Sequence, residues 1–208
     1  ASGAGDVEVA FPLFQAGSGG SSPTPALHFE ISKIGHRRAA SFIEKWHYSE
    51  RMPTGKNICY ALWHGDVIYA VIVYGIGVNP YQAQFLKVNS VLEIKRLART
   101  EPRKDYPLSR FIAITSRLVS KEFHWDCIVA FADPEHGHKG TVYKASGFEF
   151  KGVTNAEWHT VDAEGIKRHR RYAFRHARRE GIHISESRTR LGLSRIQTAA
   201  KYRWVKYA

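Results

Sequence analysis

A mixed β-sheet with helices against it, the α+β class, is what this 208-residue sequence predicts, and three observations predict it. Runs that read as strands and helices follow one another in the order β–β–β–α–β–α–β behind an opening helix. One of them, "CIVAFAD" at 127–133, is continuously apolar between two helical patterns, as a central parallel strand is. Another, "NICYALWHGDVIYAVIVYG" at 57–75, breaks at Gly65-Asp66 into the two arms of a hairpin. A sheet holding both kinds of pairing is mixed.

Each element has its own warrant. "HRRAASFIEKWHYS" spaces Ala40, Ile43 and Trp46/His47 at helical intervals, which predicts a helix over 36–47. "SVLEIKRLART" alternates as a third strand, on which Glu93 and Arg96, three apart, are expected on opposite faces. "PLSRFIAITSRLVSKEF" opens with Pro107 at a helix start and keeps one apolar face; it is the longest predicted helix. After the central strand, "KGTVYKASG" is a short helix stopped by Gly147 in the C′ position, and "FEFKG" a strand. Beyond 152, "WHTVDAEGIKRH" suits a hairpin, "RRYAFRHARRE" a basic helix and "KYRWVKY" a late strand. The expected organisation is a Gly/Ser/Pro-rich flexible tail over 1–26, a folded core over 27–152, and a basic extension over 153–208 packed on that core.

Charge narrows the function. The chain carries a formal +12, unevenly placed: residues 167–206 hold 13 Lys and Arg and three His against two Glu. A solvated helix face usually mixes signs, so this block calls for an anionic partner, and nucleic acid is the expected one. The phosphate ligands would be Arg168, Arg170, Arg171, Arg175, Arg178 and Arg179, with aromatics such as Tyr172, Phe174, Tyr202 and Trp204 either stacking on bases or packing in the core. No apolar run approaches the roughly 18 residues of a membrane span, and the N-terminal stretch lacks the pattern of a secretory signal. Cys59 and Cys127, each inside an apolar run, are expected as buried, reduced thiols of an intracellular protein.

The order of elements over about 28–152 resembles the GNAT acyltransferases, above all in "HGHKGTVYKASGFEFKG", where a helix carries a tyrosine and stops at Gly-Phe. More narrowly, "WHYS", "EIKRLAR", "YPLSRFI" and "FADPEHGHKGTVYKASGFEFKG", in that order, resemble the Mom DNA-modification proteins of Mu-like phages. That resemblance implies a GNAT-like enzyme acting in the host bacterial cytoplasm. It would convert adenine in double-stranded DNA to N6-(carbamoylmethyl)adenine and so protect phage DNA from restriction. One departure stands out. Where GNAT enzymes cradle a pyrophosphate on the backbone of a glycine-rich loop at a helix N-terminus, this chain reads "RTEPRKDYPLSR", without glycine. Side chains of Arg99, Arg103 and Lys104 would have to hold the anion instead, which bears on whether acetyl-CoA is the donor. The carbamoylmethyl group bonds N6 to a methylene and ends in an amide, so a glycine-derived donor also fits.

The candidate site residues each have a second, structural reading. Asp133 ends a central strand, where open sheets place ligands; it orients a base or a metal, or is an Asp-Pro turn former that caps. Tyr143 is, by the resemblance, a proton donor to the leaving group; otherwise it is a half-buried core aromatic. His47 takes a proton from adenine N6 or ligates a metal, and Tyr48 stacks on the base, unless both simply pack. Ser109 contacts donor or substrate, or merely opens a helix. Arg96, Arg99, Arg103, Ser109 and Gly140 complete the expected cofactor contacts. His47, Asp133 and His138, with His136 nearby, would suffice for a non-haem iron centre of two histidines and a carboxylate. A homodimer stays open. Two other classes remain: a GNAT N-acetyltransferase of RNA, peptide or small amine, and a non-catalytic nucleic-acid-binding protein on a GNAT scaffold.

Overall fold

The computed structural model describes residues 29–77, 79–100, 108–156, 158–168 and 171–208. The described residues form two compact units, one within 29–131, 140–150 and 204–208, the other within 132–139 and 151–203. The expected division at 152 differs from this one, because the C-terminal strand returns to the first unit.

A seven-stranded sheet carries the first unit, in the order β1-β2-β3-β4-β5-β10-β6. The strands are β1 (Glu30–Lys33), β2 (Asn57–His64), β3 (Val67–Gly75), β4 (Val91–Arg99), β5 (Cys127–Ala132), β6 (Glu149–Val153) and β10 (Tyr202–Tyr207). Gly65, in the left-handed region at φ +55°, turns the two-residue loop between β2 and β3. β1 to β4 pair antiparallel and β5 joins β4 in parallel, so the sheet is mixed as expected. Helix α1 (His36–Trp46) lays Ala39, Phe42 and Ile43 on Cys59, Ala61, Val71, Val73 and Ala98. Tyr74, on the opposite face from Val73, meets α3 (Leu108–Phe123), where its hydroxyl bonds Thr115 at 2.7 Å and Ser116 at 3.2 Å. A short helix α2 (Gln82–Leu86) leads into β4. Both cysteines are buried free thiols. Among the described residues no helix is long and apolar enough to cross a membrane.

Two irregularities in β4 position the site. The β3–β4 register passes from Val73↔Arg96 to Tyr74↔Ile94, leaving Lys95 as an extra residue. Such a bulge shifts the alternation by one, so Glu93 and Arg96 share the α1 face. The expectation of opposite faces holds only for a regular strand and is corrected here. Just beyond, the β4–β5 ladder stops: it runs from Val91↔Cys127 to Ile94↔Ala130, although β4 continues to Arg99 and β5 to Ala132.

In the second unit, β7 (Trp158–Val161) lies between β8 (Lys167–Arg168) and β9 (Ser194–Gln197). Two helices, α5 (Tyr172–Glu180) and α6 (Ile184–Arg190), are joined by a turn that starts at Gly181 with φ +65°. They pack through Ala173, Ala177 and Ser187, whose hydroxyl donates to the Ala173 carbonyl and meets His176 Nδ1 at 3.0 Å.

Candidate active site

The helix α4 (Thr141–Ala145) fixes Tyr143. Its end is a Schellman motif: the Phe148 amide donates to the Tyr143 carbonyl at 3.0 Å and the Gly147 amide to that of Lys144 at 3.1 Å. Gly147 supplies the left-handed φ of +80°. The hydrophobic contact that accompanies the motif is Tyr143 against Phe148, ring centroids 5.7 Å apart. Tyr143 is buried, and burial, followed by the neighbouring Tyr48, pushes its phenol well above the usual range. It is therefore a neutral O–H throughout the physiological range, and among the described residues it makes no hydrogen bond. That is the protonation state a general acid requires.

His47 and Tyr48 follow α1 directly. Nδ1 of the buried His47 accepts from the Ser49 backbone amide at 3.1 Å and lies 2.8 Å from the Ser49 hydroxyl. A backbone N–H can only donate, so Nδ1 is the acceptor and the neutral ring carries its proton on Nε2. Such an imidazole presents a donor rather than a lone pair, which speaks against the expected base or ligand role. Its ring lies 4.2 Å from that of Tyr48 at 31°, and Tyr48 itself is half exposed, at 52%.

The loop carrying these residues is held by three side chains that no local sequence pattern assigns to this role. Asn57 Nδ2 donates to the Pro53 carbonyl (2.7 Å), Lys95 Nζ to that of Thr54 (2.9 Å) and Arg96 Nε to that of Arg51 (3.3 Å). The β4 bulge makes this possible, since it delivers Lys95 and Arg96 consecutively. Arg96, expected at the cofactor, is thus a loop clamp, its Nη1 also donating to the Lys95 carbonyl.

The remaining expected cofactor contacts divide. Arg99 is exposed at the end of β4, and Ser109 lies half-buried in the first turn of α3. Arg103 and Lys104 lie outside the described residues. Gly140 is needed for another reason: at φ +80° a Cβ there would enter the indole of Trp204. The space a ligand would use is filled by a side chain of the same unit.

Asp133 and His138 belong to the second unit. Asp133 Oδ1 accepts the Glu135 amide at 3.1 Å, capping a 3-10 turn at Pro134–His136, while Oδ2 lies 3.4 Å from Lys201 Nζ. The capping reading is what the structure displays. His136 and His138 are exposed. Among the described residues no three His, Cys, Asp or Glu side chains gather to hold a metal ion. Of the expected iron set, His47 lies in the first unit and Asp133 and His138 in the second, and His47 Nδ1 and both Asp133 oxygens have partners within their own units.

Arg171, the N-cap of α5, and Arg175 and Arg178 on the helix line one shallow groove with Phe174, which is 55% exposed. Their spacing is that of a single helix face. Arg179 pairs with Glu180 at 2.9 Å, and Arg170 lies outside the described residues. Arg168 departs from expectation. Its Nε and Nη2 both reach Oδ2 of the buried Asp162 at 2.5 Å, and it stacks over Tyr172. Burial works to raise the Asp162 carboxyl, but the Ile166 amide and the Arg168 guanidinium outweigh it and hold it below the usual range. Arg168 is a hairpin clip, withdrawn from the phosphate ligands.

The profile of the Mom protein family matches residues 28–207. The methylcarbamoylase mom of Escherichia phage Mu is 22% identical over 176 residues, 81% of this chain and 71% of the phage protein. Among solved structures, the polyamine N-acetyltransferase of Drosophila melanogaster is similar with a TM-score of 0.51 at 10% identity, over 86% of this chain and 100% of that one. A mutant spermidine N-acetyltransferase of Vibrio cholerae is similar with 0.50 at 9% identity, over 86% and 93%. Both likenesses are in fold.

Proposed function

The chain belongs to the Mom protein family and is a transferase with the fold of the GNAT acetyltransferases, and from that premise we propose that it modifies adenine in DNA. The product would be N6-(carbamoylmethyl)adenine, made on phage DNA in the host cytoplasm and protecting it from restriction. The observation that carries this reading is the family match over residues 28–207, beside which stands Tyr143, a buried phenol fixed on α4 in the same unit as Tyr48.

The chemistry follows from what the substrate lacks. Adenine N6 is a weak nucleophile because its lone pair is delocalised into the ring, and in a duplex it is paired and stacked. Extruding the base costs roughly a few kcal/mol. Stacking on an exposed ring such as Tyr48 returns about 1–3 kcal/mol per base. Tyr143 delivers its proton to the group that leaves the donor. A donor with amide groups in an extended arm suits the parting of β4 and β5, where the ladder ends at Ile94↔Ala130 while β4 runs on to Arg99. Acetyl-CoA would use such a gap; its acetyl group by itself carries no nitrogen for the terminal amide, whereas a glycine-derived donor carries both a methylene carbon and a nitrogen.

Nucleoside mass spectrometry of DNA from cells expressing the protein tests the proposal. Adenine heavier by a carbamoylmethyl group, absent with Tyr143→Phe, is the expected result. Unmodified DNA together with CoA-dependent acetylation of RNA, peptide or amine would establish the N-acetyltransferase reading instead. Modification undiminished in the Tyr143→Phe protein would remove that hydroxyl from the chemistry.

A further inference from the structure

A groove follows the outer side of α1 in the first unit, lined by Arg37, Arg38, Ser41, Lys45 and Trp46 over a floor that includes Phe42. Three of these side chains are cations, all exposed, and none is acidic. They do not serve the helix. Arg37 and Arg38 occupy its first turn, which contains no acid and has no side-chain cap, whereas the helix dipole favours the opposite sign there. Nor do they serve the surface: among the described residues none of the three makes an ion pair with a carboxylate. What they do contact is aromatic. Arg38 lies over the ring of Trp63 at 5.4 Å and Lys45 over that of Trp46 at 5.0 Å. Trp46 is 38% exposed, and the chain then passes directly to His47 and Tyr48.

We propose that this groove is a DNA-contact surface of the catalytic unit, distinct from α5, which holds the backbone of the strand carrying the target base and leads it to Tyr48. The proposal rests on the DNA-modifying reading above and adds where that unit grips its substrate. Scale supports it. Eight residues separate Arg37 from Lys45, about 12 Å of helix, comparable with the axial rise of roughly three or four nucleotides of one duplex strand at about 3.4 Å each. Cations at that spacing match a repeating anion, the Ser41 hydroxyl can donate to a phosphate oxygen, and the exposed face of Trp46 suits a sugar or base where the strand leaves the helix. A strand gripped here would hold the flanking nucleotides while the central one is turned out.

The triple variant Arg37→Gln/Arg38→Gln/Lys45→Gln, compared with the parent on an adenine-containing duplex oligonucleotide across a salt series, tests this. None of the three touches Tyr143 or the loop clamp. At about 0.9 per phosphate contact, the slope of log K against log salt should flatten by roughly two to three units. A slope equal to the parent's overturns the proposal while leaving the DNA reading intact. A parent that binds no DNA overturns both. A second measurement needs no variant. In the parent protein, acetic-anhydride labelling read by mass spectrometry should show Lys45 protected by saturating oligonucleotide and Lys121, exposed in the last turn of α3, unprotected. Lys45 labelled fully in the presence of the oligonucleotide, or protected by poly-glutamate but not by DNA, would assign the groove to another partner and refute the inference.

Discussion

At the scale of single residues, Tyr143 and Gly140 separate chemistry from packing within four positions. The Tyr143 hydroxyl stabilises nothing among the described residues, and Tyr143→Phe keeps the ring against Phe148. We expect it to lower the yield of modified adenine by about 10²- to 10⁴-fold, the range for a missing general acid. The melting temperature should move by no more than about 2 °C, as for a change below 1 kcal/mol in a chain of this size. Loss of yield accompanied by a large drop in melting temperature would make the residue structural. Gly140→Ala should behave oppositely. It forces a Cβ into Trp204 at a left-handed φ, combining about 1 kcal/mol of backbone cost with about 1–3 of overpacking. Thermal unfolding of this variant should show the loss with the DNA reaction removed from consideration. The motif around Tyr143 was legible in the sequence because a Schellman end is local: its glycine and its aromatic contact lie within five residues of Tyr143. The use of Gly140 was not, since its partner Trp204 is 64 positions away. The same holds for Asp133, whose cap to Glu135 is local and foreseeable but whose contact with Lys201 is not.

Whole elements show where periodicity stops being informative. α1, β2, β3, β4, α3, β5, β6 and α5 each announce themselves by an apolar period or a stop signal. β1 is four residues long and α6 is "ISESRTR", with a single apolar side chain, so neither carries a period to read. The bulge at Lys95 left no mark in the sequence because it is a property of pairing with β3, and it reversed the expected faces of Glu93 and Arg96. α5 was read from its charge pattern, and it offers the test of that reading. Arg171→Gln/Arg175→Gln/Arg178→Gln removes three cations from one helix face with little change in helix propensity. Affinity for every DNA sequence should fall, and the salt slope should flatten by about 0.9 for each phosphate that the variant no longer neutralises. Including Arg168→Gln should instead lower stability, because it strips a buried carboxylate of its partner. Fluorescence anisotropy across salt, paired with thermal melts, reads both effects, and an unaltered slope would make the α5 stripe a solvated face.

For the molecule as a whole, the buried acids of the first unit make a prediction about alkaline pH. Burial pushes Cys59 from 9.0 to about 11, and burial with some help from Asp126 does the same for Cys127. Tyr60 rises from 10.0 to about 12, through burial first and then Glu122. Tyr74 and Tyr143 are displaced upward as well, chiefly by burial. In every case the folded state keeps a proton that the unfolded chain releases at lower pH. Stability is therefore undiminished below about pH 9, and it declines as the unfolded thiols and then the phenols ionise while their folded counterparts do not. A two-unit displacement amounts to about 3 kcal/mol once the folded group has titrated, and a domain has only about 5–15 kcal/mol to lose. Cys59, Cys127 and Tyr60 together reach that range by about pH 12. The protein should thus melt at nearly constant temperature through neutral and mildly basic pH, and then unfold cooperatively before the buried tyrosines ionise. Tyrosinate absorbance followed alongside circular dichroism gives the decisive comparison. The buried phenols should ionise only together with loss of ellipticity. Tyrosinate absorbance that reaches its full height in a still-folded protein would mean that the site phenol, Tyr143, is open to solvent and is not shielded by its burial.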